Sequence, residues 1–292
     1  MASTGKPFFN SICVLPATVT LVLVLFHWPA ASGAAPSRVA SLNLCTDSML
    51  FELAEARQIV SVTALSRDES LSYYADAAQT IAVNHGLAEE IISLRPDLIL
   101  ADRYAATGTT ALLSRLGYHV MKFDPMLSFA DFRVGFMRLA AALDAREKAS
   151  KLLAVMEREL ARVEPPRVAA RRRAIIYRPN GFSPGSRSLA NDMLRAAGLL
   201  NLADEFGIEY GGFVPLETLV VSSPDIVLLG GRAERYPALA EQILAHPALT
   251  GRNANGDPGS RPLQIDISEK FWTCGGTFVV EAIARLTALA AR

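Results

Sequence analysis

Two stretches of this chain follow one pattern at a constant offset of 128 residues. The first is Glu89-Glu90-Ile91-Ile92-Ser93-Leu94-Arg95-Pro96-Asp97-Leu98-Ile99-Leu100. The second is Glu217-Thr218-Leu219-Val220-Val221-Ser222-Ser223-Pro224-Asp225-Ile226-Val227-Leu228. Each reads as a short helix, a Pro-Asp turn and a buried strand. Proline stops the helix because its ring and missing N–H forbid continuation. The unbroken apolar runs that follow suit parallel strands covered on both faces. A weaker repeat, at an offset of 144, relates Asp47–Ala54 to Asn191–Gly198. Each copy follows a strand and a polar turn, Val39–Leu42 in one half and Ala174–Tyr177 in the other. Two copies in the same order argue for two similar lobes, since a solenoid needs three or more.

The rest of the chain alternates in the same way, which predicts right-handed crossovers and parallel sheets. Strands are expected near 39–43, 59–64, 79–83, 97–102 and 119–124, then near 174–178, 225–230 and 262–266. Helices are expected near 46–55, 88–95, 108–116, 187–197, 216–222, 236–244 and 276–290. Between the halves, Phe132, Phe136, Leu139 and Leu143 share one helix face. Leu152, Met156, Leu160 and Val163 share another after a break near Asp144. Residues 145–163 would span about 28 Å as a helix, and Pro165-Pro166 ends it. The fold class is therefore α/β, with two Rossmann-like lobes, 36–128 and 166–292, each built on a mostly parallel sheet. One long rigid helix within 129–165 joins them, and a ligand cleft lies between.

Of the 292 residues, 51% are hydrophobic and 20% charged, ample for a packed core. Basic and acidic residues balance at 29 each, so no global positive field exists to hold nucleic acid. The basic tract Arg167–Arg173 is read as a solvated linker. Lys6, the apolar run Ile12–Phe26 and the small-residue tract Ala30–Ala35 compose a secretory signal peptide over 1–34, cleaved after Ala34, with an uncleaved N-terminal anchor as the alternative. The apolar run falls short of the roughly 20 residues a spanning helix needs. Cys13 lies inside it, which argues against a lipid anchor. The mature protein is expected in the periplasm, as a monomer.

No catalytic signature is present: no GxGxxG after a strand, no GxxxxGK[ST], no HExxH and no GxSxG. The three later histidines, His85, His119 and His246, are scattered, and no metal site or cofactor is expected. The glycine doublets 211–212, 230–231 and 275–276 are read as turns that need permissive backbone geometry. Export and two α/β lobes without evident chemistry point to binding; an exported α/β enzyme with an unrecognised site is the alternative.

The chain resembles the class III periplasmic substrate-binding proteins of ABC importers, which serve ferric siderophores, haem and cobalamin. The resemblance rests on Arg38-Val39-Ala40-Ser41-Leu42-Asn43, Thr46-Asp47, the Glu89–Leu100 segment with its copy at Glu217–Leu228, and Leu116-Gly117-Tyr118-His119-Val120. It implies a non-enzymatic receptor that delivers a metal chelate or corrinoid to a permease and its ATPase in the inner membrane. It also implies one docking acid at the tip of each lobe, carried here by Asp47 and by Asp192 beside Asn191, the residue opposite Asp47 in the repeat. Haem is less favoured, because no Tyr or His stands in an axial-ligand motif.

Open α/β sheets bind ligands beyond the carboxyl ends of their strands. Those ends and comparable connections carry Asn43, Cys45, Arg67, Asp68, His85, Arg103, Tyr104, Arg178, Asn180, Phe182, Phe213, Arg232, Trp272 and Cys274. Aromatic faces mixed with cations suit a large flat ligand with acidic or amide edges. Cys45 and Cys274 are the two cysteines left after cleavage. Three states stand open: a disulfide across the cleft, free thiols that meet a ligand's metal centre, or buried inert thiols.

Overall fold

A computed structural model describes residues 1–2, 35–104, 106–163, 171–230, 239–250 and 262–291. Residues 35–292 form one compact unit. The predicted signal segment and Arg232 lie outside the described residues.

In the first lobe, strands and helices alternate as β1 (Val39–Ser41), α1 (Leu44–Leu53), β2 (Ile59–Thr63), α2 (Ala75–Ala78), β3 (Val83–Asn84), α3 (Ala88–Leu94), β4 (Leu98–Asp102), α4 (Thr107–Arg115) and β5 (Val120–Phe123). All pairings are parallel, in the order β3-β2-β1-β4-β5. Helices α5 (Phe129–Ala142) and α6 (Arg146–Arg162) follow. The second lobe continues with β6 (Arg173–Tyr177), β7 (Phe182–Pro184), α7 (Leu189–Ala196), β8 (Leu200–Asn201), β9 (Gly211–Phe213), α8 (Leu216–Ser222), β10 (Ile226–Leu229), α9 (Pro247–Thr250), β11 (Leu263–Asp266) and α10 (Val279–Ala290). Its parallel sheet has the order β11-β10-β6-β8, while β7 and β9 pair antiparallel as a separate ribbon.

The Pro-Asp repeat does the same job twice. Arg95 ends α3 and Ser223 ends α8, each in the left-handed conformation, with φ 47° and φ 49°. The next aspartate then fastens the start of the neighbouring strand. Asp97 donates its N–H to the Arg38 carbonyl at 2.9 Å, and Asp225 donates to that of Arg173 at 2.9 Å. Their carboxylates accept in return, Asp97 from the N–H groups of Ser37 and Arg38 and from the Ser37 hydroxyl, Asp225 from the Arg173 N–H. These bonds set β4 beside β1 and β10 beside β6, because a strand whose first residues are pinned has its register fixed.

The connector breaks near Asp144 as expected and its long helix is α6, but that helix folds back on α5 instead of standing alone between the lobes. Asp144, at φ 55°, reverses the chain, and α5 and α6 form a helical hairpin across which Arg133 pairs with Glu157. One apolar core runs through it. Leu50 and Leu98 of the first lobe, Phe132, Phe136 and Leu153 of the hairpin, and Ile176, Met193 and Ile283 of the second lobe belong to one contiguous cluster. Successive strand residues face opposite sides of a sheet, so Ile175 and Tyr177 enter a second core and Ala40 and Ile99 a third. A shared core stiffens the lobes against each other more than a linker helix would, since closely packed interiors resist deformation.

Candidate functional site

The carboxyl ends of β1 and β2 meet that of β11 along a seam. Asn43 caps α1, its Oδ1 accepting from the N–H groups of Cys45 at 2.8 Å and Thr46 at 3.3 Å. This cap aims the first turn of α1 at the second lobe. There Cys45 is joined to Cys274 by a disulfide with Cα atoms 4.9 Å apart, so of the three open states the bridge is the one formed. Nearby, the Ser70 carbonyl accepts from the Lys270 N–H at 2.9 Å and the Ser268 hydroxyl at 3.0 Å. The Tyr73 ring stacks on Phe278 with centroids 4.3 Å apart, and its hydroxyl donates to Glu281 at 3.2 Å. Buried Glu52 accepts from the Thr277 N–H at 3.0 Å. Burial raises the Glu52 pKa, and this bond and Lys148 pull against the rise.

The doublet Gly275-Gly276 belongs to this seam rather than to a turn needing positive φ. A Cβ on Gly275 would stand 2.8 Å from the Phe132 ring, and one on Gly276 would collide with Phe278 and come within 2.8 Å of Glu52. Absence of a side chain is what lets the second lobe's backbone close on α1 and α5. Sequence reading located the doublet but gave the wrong reason for it.

Asp47 is a correction. The residue is fully buried in the first lobe, where its Oδ2 accepts from the Thr63 N–H at 3.0 Å, the Thr63 hydroxyl at 2.6 Å and the Ser66 hydroxyl at 2.7 Å. Burial pushes its pKa up to about 6 against the pull of these bonds. A carboxylate enclosed in this way cannot reach an arginine on another protein. Asp192 is half-buried and accepts from the Phe129 N–H at 3.0 Å, tying α7 to the start of α5.

The cationic residues expected at the strand ends are engaged. Arg67 donates to the carbonyls of Ala78, Gln79 and Ile81. Arg103 pairs with Asp124 at 2.5 Å. Arg178 forms a two-pronged ion pair with Glu269, whose side chain is only 7% exposed, and lies 5.8 Å from the Phe182 ring centroid. His85 bonds Glu90 through Nδ1 at 2.9 Å. Asp68 is exposed and accepts from Ser70 within its own loop. Asn43 also donates to Asp102 at 2.5 Å.

Besides the exposed Arg67, Asp68, His85 and Arg103, three uncharged predicted positions stay open to solvent: Tyr104 at 69%, Phe213 at 69%, and Asn180, held at φ 60° after β6. Phe213 meets Phe182 edge-on at 5.7 Å on the β7–β9 ribbon. Trp272, expected to open onto the cleft, is instead 6% exposed. Its Cζ2 lies 3.7 Å from where a Gly230 Cβ would stand, at the end of β10, and its indole N–H has no hydrogen-bond partner. Glu269, Asp124 and Tyr73 escaped sequence analysis. Their roles depend on partners 91, 21 and 208 residues away, and no local pattern carries that. A separate open depression of about 600 Å³ flanks the seam, lined by Tyr73, Ile265, Lys270, Phe271 and Arg285 among others. Among the described residues no cluster of three or more His, Cys, Asp or Glu could hold a metal ion.

Two parallel α/β sheets that meet at their carboxyl ends, sharing a core and a helical hairpin, define a two-lobed binding protein. The match to a family model over residues 39–255 carries this further, and the chain belongs to the periplasmic binding protein family. It is similar to a cobalamin-binding protein of Halobacterium salinarum, 26% identical over 232 residues, which cover 75% of this chain and 60% of that protein. The chain thus matches only about three-fifths of that relative's length. A periplasmic heme-binding protein from Roseiflexus sp. RS-1 has the same fold, with TM-score 0.71 at 20% identity, over 89% of this chain and 98% of that one. So does an Fe3+-hydroxamate transport-system protein from Saccharomonospora viridis, with TM-score 0.66 at 20% identity, over 87% and 93%.

Proposed function

We propose that this chain is a solute receptor of the periplasm, exported by the signal peptide in residues 1–34. It captures a metal chelate or corrinoid, a ferric siderophore or cobalamin-type ligand, and delivers it to the permease and ATPase of an inner-membrane ABC importer. The observation that carries this reading is the seam at which the carboxyl ends of β1, β2 and β11 converge. Ligands of open α/β sheets sit at such ends. The family match and the cobalamin-binding relative support the ligand class. Tyr104, Phe213 and Asn180 are exposed at the ends and connections that face such a ligand, with Asp68, His85 and Arg103 on the first-lobe rim and Trp272 beneath. Asp192 serves as a contact to the permease from the second lobe.

The test is a thermal-shift screen against cobalamin, cobinamide, several ferric siderophores and haem. A ligand at 100 times its dissociation constant adds about 2.7 kcal/mol of stability. Tyr104→Ala with Phe213→Ala should erase that shift while leaving the melting temperature of the free protein unchanged. No shift with any of these ligands would overturn the reading.

A further inference from the structure

Aromatic and cationic residues at the strand ends suggest, by sequence alone, a ligand with acidic edges. The structure removes half of that suggestion. Each described cation predicted there is already neutralised or tied to backbone. Arg103 faces Asp124, Arg178 faces Glu269, and Arg67 closes the turn after α2 through three carbonyls. His85 lies against Glu90. Asp68 and the neighbouring Glu69 add exposed negative charge on the same rim. An anion arriving at this rim would have to displace a carboxylate from a formed ion pair or approach uncompensated negative charge. Either route opposes binding, because charge complementarity selects partners by excluding the wrong sign.

Among the predicted site residues that the structure describes, those exposed and outside any ion pair, besides the backbone-bound Arg67, are Tyr104, Phe213, Asn180 and the acid Asp68. Tyr104 and Phe213 present large exposed rings. The Trp272 N–H has no acceptor and is sealed from solvent beside the end of β10, so it is not offered to a ligand. Arg178, paired with Glu269 near Phe182, is a compensated charge rather than a free one.

We infer that the cleft is selective by charge: it takes a neutral or cationic chelate or corrinoid, recognised through aromatic faces, and excludes chelates whose edges carry carboxylate or catecholate charge. This rests on the receptor reading above and narrows it to one electrostatic class.

The test is isothermal titration of the purified protein with four probes: cyanocobalamin (neutral), ferrioxamine B (cationic), a ferric tris-catecholate and haem (both anionic). At least one neutral or cationic probe should bind more tightly than either anionic probe by a factor of about ten or more. Its affinity should change by less than about twofold when salt is raised enough to screen surface charge. Asp124→Asn, which releases exposed Arg103, should improve binding of an anionic probe without altering the melting temperature. An anionic probe binding as tightly as, or more tightly than, the others overturns the charge selection while leaving the receptor reading intact. No binding by any probe in titration or thermal shift overturns the receptor reading itself, and the charge selection with it.

Discussion

In the first lobe, β1 passes through Asn43 directly into α1; in the second, β6 and α7 are separated by the ribbon strand β7, which pairs with β9. The central strands correspond one to one. The pairings β1–β4 and β6–β10 are both parallel, and both are pinned by the aspartate of a Pro-Asp turn. What differs is how each lobe handles the residues after its first strand. The first lobe buries a carboxylate there, Asp47, among hydroxyl and N–H donors. The second has Asn191 at the repeat position and takes its buried acid, Glu269, from the connection after β11, paired with Arg178. The repeated parts build the scaffold, and the unrepeated parts make the two walls of the cleft unlike each other.

The largest effect should come from the second lobe's ion pair. Arg178→Leu strands the Glu269 carboxylate in a nearly closed site and should destabilise by about 3–5 kcal/mol in denaturant titration. The double variant Arg178→Leu with Glu269→Leu should recover most of that. If the single variant melts like wild type, the two lobes do not differ in their need for buried charge.

Next is the tie between the lobes. Denatured, unreduced protein should show a thiol titre near zero for Cys45 and Cys274. The chain segment they close is long, so Cys45→Ser with Cys274→Ser should lower stability by about 2–4 kcal/mol. The shared core should still keep both lobes melting in one transition. Separate transitions would mean that the bridge, not the core, couples them.

Asp47 should give a pH signature with no second-lobe counterpart. Its folded pKa, about 6, lies above the ordinary value of 3.8. The folded protein therefore binds more protons than the unfolded chain between those values, and stability falls as pH rises from 3.8 to about 6. The full penalty above pH 6 is about 3 kcal/mol. Asp47→Asn should flatten melting temperature across that window, whereas Asn191→Asp should introduce a new slope. A wild-type slope in Asp47→Asn would assign the dependence elsewhere, with Glu52 the next carboxyl to test.

The smallest effect compares the two Pro-Asp turns. Asp97 accepts three bonds and Asp225 accepts one from the adjacent strand start. At about 1 kcal/mol per net hydrogen bond, reduced by exposure, Asp97→Ala should cost about 1 kcal/mol more than Asp225→Ala. Equal losses would mean that the additional Ser37 and Arg38 contacts contribute nothing measurable.

The Glu89–Leu100 and Glu217–Leu228 copies were legible because helix stop, turn and strand are written in neighbouring residues. The paired central strands were legible for the same reason. β3 fell at 83–84 instead of 79–83, and the two-residue strand β8 and the β7–β9 ribbon were missed. These elements are short, and the ribbon is held by partners about 30 residues apart. Candidate site residues were found through their place after strands, but place does not reveal engagement. Asp47 looked like a surface acid at a helix start, and only burial under Thr63 and Ser66 removed it from the docking surface.

From its own letters this chain determines two α/β halves, a helical connector broken at Asp144, and a pair of cysteines beyond the apolar N-terminal run. Each is carried by periodicity or by residues that constrain their immediate neighbours. Only the tertiary structure decided that Cys45 meets Cys274, that Gly275 and Gly276 give room to Phe132 and Glu52, and that Arg103 and Arg178 are paired with Asp124 and Glu269. Those outcomes depend on which distant groups come within a few ångströms, and distance in space is set by packing the whole core rather than by any local run of sequence.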